Sequence, residues 1–354
     1  MGTCVSVDAP EPVRTELRAV LTDLESASDP RRQLVVEEEG DFRFRLLDSG
    51  EMVREGIEPS VAAATVVWRL NAIAADTRRY LLIHAGCVAD ERAVLLPGRS
   101  GAGKSTLAAE CVVAGMAYLS DEYAAIDLQT GVTVPYAKPL ALERERLVAS
   151  SHLRAGSVGS PVSPAGIAFP CYSPGASLSV TPLDPGSTLL ALAAHTTNLA
   201  NLGGTALRWL AGVATACPSW QISYGDAADA VPTVRNVGRT RPSSIRPADV
   251  IGPVTPTTTS VVLGDDLAVF DDPTGRVHLL NAGAAFVWAC VPDAPDGPGL
   301  ADVALARAPA GSLDRPSISA TVEHLAVSGL LPDRLLPAGH IPGRSWPPVT
   351  PRDA

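Results

Sequence analysis

Apolar positions along this chain change period repeatedly, and each change marks an expected element. Over residues 13–24 they fall at helical spacing inside an acidic segment, and residues 1–30 read as peripheral. From Gln33 the period drops to two. Leu34, Val35 and Val36, then Phe42, Phe44 and Leu46 on alternate positions, then Met52 and Val53, predict a small antiparallel sheet, with Glu37, Glu38 and Glu39 as a solvated turn. Residues 59–79 return to helical spacing, with Val61, Thr65, Trp68 and Ala72 on one stripe. Two apolar runs, 80–88 and 93–96, flank the turn residues Asp90, Glu91 and Arg92 and predict a hairpin of buried strands. Residues 107–113 read as a helix and 118–120 as a short strand. Residues 124–126 and 132–134 read as a second hairpin.

Beyond residue 140 the pattern thins. Residues 148–186, rich in Ser, Gly and Pro, predict loops, with a mobile flap beside a site as one reading. Helices at 188–198 and 205–216 and a strand at 220–224 complete the first domain, and 240–259 is a linker by composition. Strands at 261–263, 267–270 and 276–280 open a second domain, in which Asn281 is placed to cap a helix and 300–307 and 318–330 predict two more. The Pro-rich tail is expected to be disordered. The expected divisions are 1–30, 31–239, 240–259, 260–335 and 336–354.

Composition narrows the class. A chain of 354 residues accommodates two domains. Its net charge of −10 provides no basic field for nucleic acid or an anionic membrane, so neither is an expected partner, while self-association stays open. The six cysteines show no C-x-x-C spacing, as in a reducing compartment. With no signal peptide and no apolar run near the ~18 residues of a membrane span, a cytoplasmic location is expected.

Candidate chemistry concentrates between residues 84 and 122. Gly98, Arg99, Ser100, Gly101, Ala102, Gly103, Lys104, Ser105 and Thr106 spell the phosphate-binding loop pattern, with an apolar strand before it and a helix after it. The glycines let backbone N–H groups approach phosphate oxygens, the helix N-terminus adds its dipole, Lys104 reaches the outer phosphates and Ser105 meets magnesium. Of 28 basic residues only Lys104 and Lys138 are lysines, which makes a chance match rare. Lys138 suggests a phosphate contact, although a solvated lysine is the more ordinary reading. Asp121 and Glu122, ending the next strand, suit a magnesium ligand or general base, or else two surface acids. By pattern, His84 and His195 read more readily as structural than as catalytic.

Taken together, His84-Ala85-Gly86, the loop through Ser105, and Ser120-Asp121-Glu122 resemble the kinase domain of the HPr kinase/phosphorylase family. The match in order and spacing runs from His84 to Glu122 and more loosely to about Tyr224. The resemblance implies an α/β fold, a P-loop domain of the HPr kinase and phosphoenolpyruvate-carboxykinase type with a mixed sheet. It also implies ATP and Mg²⁺ as cofactors, Asp121 as general base toward a serine hydroxyl, His84 beside the transferred phosphate, and Ser105 with Glu122 on the metal. The second acid is glutamate where the family has aspartate, and the family's downstream Gly-Pro…Ile-Glu-Ile-Arg-Gly signature has no counterpart here. The carrier protein HPr as substrate, the reverse reaction and a hexamer are therefore not carried over. Residues 261–331 resemble the PqqD-like family, small α+β winged-helix-like domains that bind a leader peptide as an added strand. The combination points to a serine kinase acting on a ribosomally made precursor peptide. A nucleotide-responsive escort for a partner modifying enzyme and a small-molecule hydroxyl kinase are the alternatives.

Overall fold

The computed structural model describes residues 3–40, 42–142, 146–251, 255–309 and 313–336. It is a mixed α/β protein whose chain divides into two compact units, Met1–Ala248 and Asp249–Ala354. No helix among the described residues is long and apolar enough to cross a membrane.

The first unit opens with β1 (Val5–Asp8), α1 (Val13–Leu21), β2 (Arg32–Glu39), β3 (Arg43–Asp48), β4 (Glu51–Ile57) and α2 (Ala62–Ala75). β1 lies parallel to β2, and β2, β3 and β4 follow antiparallel. Their inner face meets both helices through Val13, Leu17, Leu34, Val36, Phe44, Leu46, Val66 and Ile73, so the N-terminal segment belongs to this core and is not peripheral. Each fully buried side chain of this size stabilises the fold by about 1.5–3 kcal/mol. Three expectations are corrected here. Glu37, Glu38 and Glu39 lie within β2, where Glu37 pairs with Arg45 across the ladder at 2.7 Å, and charge on the outer face is compatible with a strand. Phe42 sits at a turn with φ +58° and is exposed. In α2 the buried face is Ala62, Ala63, Val66 and Ile73, and the expected stripe of Val61, Trp68 and Ala72 faces solvent, with only Thr65 buried.

The larger sheet is built from β5 (Tyr80–Ala89), β6 (Ala93–Pro97), β7 (Ala117–Ser120), β8 (Tyr123–Asp127), β9 (Thr133–Val134), β12 (Pro164–Tyr172), β13 (Ser179–Leu183) and β14 (Ser219–Tyr224). A separate short hairpin, β10 (Leu140–Leu142) with β11 (Arg146–Val148), precedes β12. The strand order is β13-β14-β12-β6-β5-β8-β9, with β7 also pairing with β5. β12 is parallel to both β6 and β14, whereas β5 is antiparallel to β6, β7 and β8. Helices α3 (Lys104–Val113), α4 (Ser150–Leu153), α5 (Pro185–Ala194), α6 (Leu199–Leu202), α7 (Gly204–Ala216) and α8 (Ala227–Gly238) connect and cover these strands. β12 falls inside the stretch expected to be loops. Its Gly166 is where α8 packs, since a Cβ there would stand 2.6 Å from the Val237 side chain.

Residues 240–248, the first part of the expected linker, are strapped to the first unit. Ala248 and Arg208 exchange hydrogen bonds of 2.9 and 2.8 Å, and a Cβ on Gly212 would overlap the Arg246 carbonyl. The second unit has the antiparallel sheet β15 (Val250–Ile251), β16 (Thr258–Leu263), β17 (Asp266–Asp271) and β18 (Arg276–Leu280). Helices α9 (Ala282–Ala289), α10 (Gly297–Arg307) and α11 (Arg315–Val327) pack a core around the fully buried Trp288. Asn281 caps α9, its side-chain oxygen accepting from the Ala284 N–H at 2.9 Å. Of the expected tail, residues 337–354 lie outside the described residues.

Candidate nucleotide site

β6 ends at Pro97, and the chain turns through the glycine loop into α3. Gly101 and Gly103 adopt φ of +82° and +90°, a region glycine enters without strain. At Gly103 no side chain fits: a Cβ would lie 2.5 Å from the Tyr224 hydroxyl and 2.9 Å from Tyr172 Cβ. The same two tyrosines hold the loop from behind. The Tyr224 hydroxyl donates to the Gly103 carbonyl and the Tyr172 N–H to the Ala102 carbonyl, each at 3.3 Å. The first amides of α3 have no acceptor within the helix, and the positive end of its dipole lies at the loop.

Lys104 is buried, and its Nζ donates to the loop carbonyls of Gly98 at 2.7 Å and Arg99 at 2.9 Å. Burial pulls its pKa down, the charges of Asp121 and Glu122 push it up, Lys138 pulls it down, and the net position is below that of an ordinary lysine. Arg99, Ser100, Gly101 and Thr106 are exposed, and Ala102 and Ser105 are partly so.

The second component forms where β7 ends. Ser120 Oγ accepts from the N–H groups of Glu122 and Tyr123, both at 3.1 Å, and the Ala85 N–H on β5 donates to the Glu122 carbonyl at 3.2 Å. The Asp121 side chain is 1% exposed and its Oδ1 lies 3.0 Å from Lys138 Nζ, itself 6% exposed. The Tyr118 hydroxyl is 3.3 Å from the same oxygen and donates to the Lys138 carbonyl at 2.8 Å, while the Ala141 N–H reaches Asp121 Oδ2 at 3.4 Å. Lys138 is thus a buried countercharge and not a solvated lysine.

Glu122 is more open, at 22% exposure, and its Oε1 lies 3.4 Å from Nδ1 of the 36% exposed His84. Its Oε2 lies 3.4 Å from Lys138 Nζ and accepts from Asn71 Nδ2 at 3.2 Å. Asn71 in turn accepts from the Tyr136 hydroxyl at 2.8 Å, and the Tyr136 ring stacks on Tyr123. Burial raises the Glu122 pKa, but the His84 hydrogen bond and the Lys138 charge outweigh it and hold the carboxyl below the usual range. For Lys138, burial lowers the pKa and the two carboxylates outweigh it, leaving it above the usual lysine value.

The structure therefore couples Lys104, Asp121, Glu122 and His84 in one electrostatic cluster, and adds Lys138, which sequence reasoning weighed only as a phosphate contact or a solvated lysine, and Asn71 and Tyr118, which it did not assign. Asn71 had a signal, as the one amide in an otherwise apolar stretch of α2. Among the described residues no group of three or more His, Cys, Asp or Glu is arranged to hold a metal ion. Ser105 is partly exposed at the head of α3, and both Glu122 oxygens are already engaged, Oε1 with His84 and Oε2 with Lys138 and Asn71. A cavity of about 1320 Å³ lies elsewhere, beside α1, β1 and α2, and meets this cluster only through Tyr136. In the second unit, β18 pairs only with β17 among the described residues, leaving its other edge without a strand partner. Searches against protein-family models, curated proteins and solved structures return no match.

Proposed function

We propose that this chain is an ATP-dependent, magnesium-requiring serine kinase of the HPr kinase type, acting on a ribosomally synthesised precursor peptide that the PqqD-like second unit captures. The observation that carries the reading is the glycine loop whose buried Lys104 is electrostatically coupled to the paired acids Asp121 and Glu122. Phosphoryl transfer requires amides and a cation around the phosphates and one proton acceptor beside the nucleophile. In this reading the loop amides and Lys104 hold the phosphate chain, and Ser105 and Glu122 orient the metal. Magnesium, when bound, neutralises charge between the outer phosphates. The serine oxygen attacks the terminal phosphorus, the bond to ADP breaks, and Asp121 takes the hydroxyl proton. Lys138 keeps that carboxylate oriented, and His84 lies beside the transferred group. Leader capture draws support from the open edge of β18, which offers main-chain hydrogen bonds to an added strand.

One observation favours a second reading. The Asp121 carboxylate is almost fully buried against Lys138, which suits a nucleotide-responsive escort that performs no transfer. The test incubates the full chain with MgATP and serine-containing peptides encoded by short genes beside its own, and follows peptide mass. The kinase reading predicts the gain of one phosphate, lost in Asp121→Asn while ATP binding persists. ATP binding without any peptide gain leaves the escort, and absence of ATP binding overturns both.

A further inference from the structure

Both edges of β5 are occupied. On one edge, residues 85–89 pair with β6, which ends with Pro97 opposite Ala85. Directly beyond that point, residues 195–198 take over the same edge. The His84 N–H donates to the His195 carbonyl at 2.7 Å, Ile83 and Thr196 form an antiparallel bridge, and the Thr197 N–H donates to the Leu82 carbonyl at 2.9 Å. The buried Asn198 side chain locks the segment, accepting from the Leu82 N–H at 3.0 Å and donating to the carbonyls of Tyr80 at 2.8 Å and Thr77 at 3.1 Å. His195 consequently occupies the row next to Pro97, where the glycine loop leaves the sheet.

Its partly buried imidazole lies within electrostatic reach of His84, Lys104 and Arg99. Burial first, and then these positive neighbours, hold its pKa below that of an ordinary histidine, so the ring is a neutral N–H donor at pH 7. Among the described residues nothing hydrogen-bonds that ring. A donor without a partner among the described residues, within the field of three basic groups and on a main chain one row from the start of the glycine loop, is matched to an anion.

We propose that His195 completes the phosphate wall of the site, donating from its imidazole to the terminal phosphate of a bound nucleoside triphosphate. The assignment rests on the nucleotide reading of the loop, and the experiment separates the two. Isothermal titration calorimetry of the full chain with MgATP and with MgADP compares the natural protein with His195→Ala and His195→Gln. The main chain, not the imidazole, makes the strand pairing, and circular dichroism checks that both variants fold. His195→Ala is expected to weaken MgATP about tenfold to a hundredfold, the range for a hydrogen bond to a charged group, and to leave MgADP within about twofold. His195→Gln, which retains a donor, recovers part of the loss. Unchanged ATP affinity, equal losses for both nucleotides, or misfolding of both variants overturns the proposal and leaves the loop reading standing. A natural protein that binds neither nucleotide removes the loop reading first, and this assignment with it.

Discussion

Lys138→Met removes the only cation among the described residues that faces both Asp121 and Glu122 at ion-pair distance, 3.0 and 3.4 Å, and keeps the length of the aliphatic stem. A solvated lysine would be replaced with a change within about 0.5 kcal/mol. In this structure the substitution leaves a carboxylate at 1% exposure whose remaining hydrogen-bond partners among the described residues are the Tyr118 hydroxyl and the Ala141 amide. Breaking a buried pair in this way costs about 3–5 kcal/mol. For a unit of 248 residues, where each kcal/mol moves the midpoint by roughly 2–4 °C, the transition should fall by roughly 6–20 °C at pH 7. Urea denaturation and thermal melting of the full chain measure it at pH 7. A loss below about 1 kcal/mol would refute the buried-countercharge account.

Three further outcomes follow from the same geometry. Gly103→Ala should lose nucleotide binding and cost about 1–3 kcal/mol by denaturation, because φ is +90° and the new methyl meets Tyr224 and Tyr172; unchanged ATP affinity would contradict it. Asn198→Ala should cost about 1–3 kcal/mol for each buried group left unpaired, and hydrogen exchange should show the β5 amide of Leu82 losing protection first. Glu122, held below the ordinary glutamate value of 4.5, contributes stability above that value that is lost as the pH falls through its folded pKa. Lys138, held above 10.5, contributes below that value and loses its share as the pH rises through its folded pKa. A pH series of denaturation midpoints on the natural protein should therefore be level between these values, as far as these two groups are concerned, and decline on either side.

Much of the site was legible in the chain because its elements are local. The runs 80–88, interrupted only by His84, and 93–96 are apolar, as buried strands are, and the glycine pattern lies between a strand and a helix as expected. The same holds for the turn at 271–275 and the Asn281 cap. What escaped depends on distant partners. β12 carries Pro164, Gly166 and Pro170 in a sequence that reads as loop, yet it is held on both sides by parallel neighbours. α8 contains Pro232, a residue that argues against a helix interior, and is retained by burial of Val231, Val234 and Val237. Lys138 looks solvated until the fold closes Tyr118 and the paired acids around it. The expected stripe on α2 is periodic, but except for Thr65 it faces away from the first sheet, which is met by Ala62, Ala63, Val66 and Ile73 and not by Trp68.

With β6 and residues 195–198 along one side of β5, and β7 and β8 along the other, that strand has no free main-chain rim. An added strand therefore cannot pair with β5 beside the Asp121–Glu122 cluster. On the kinase reading, recognition of the acceptor residue would rest on side chains and on the loop, and any selectivity conferred by ladder formation would be located at a different strand.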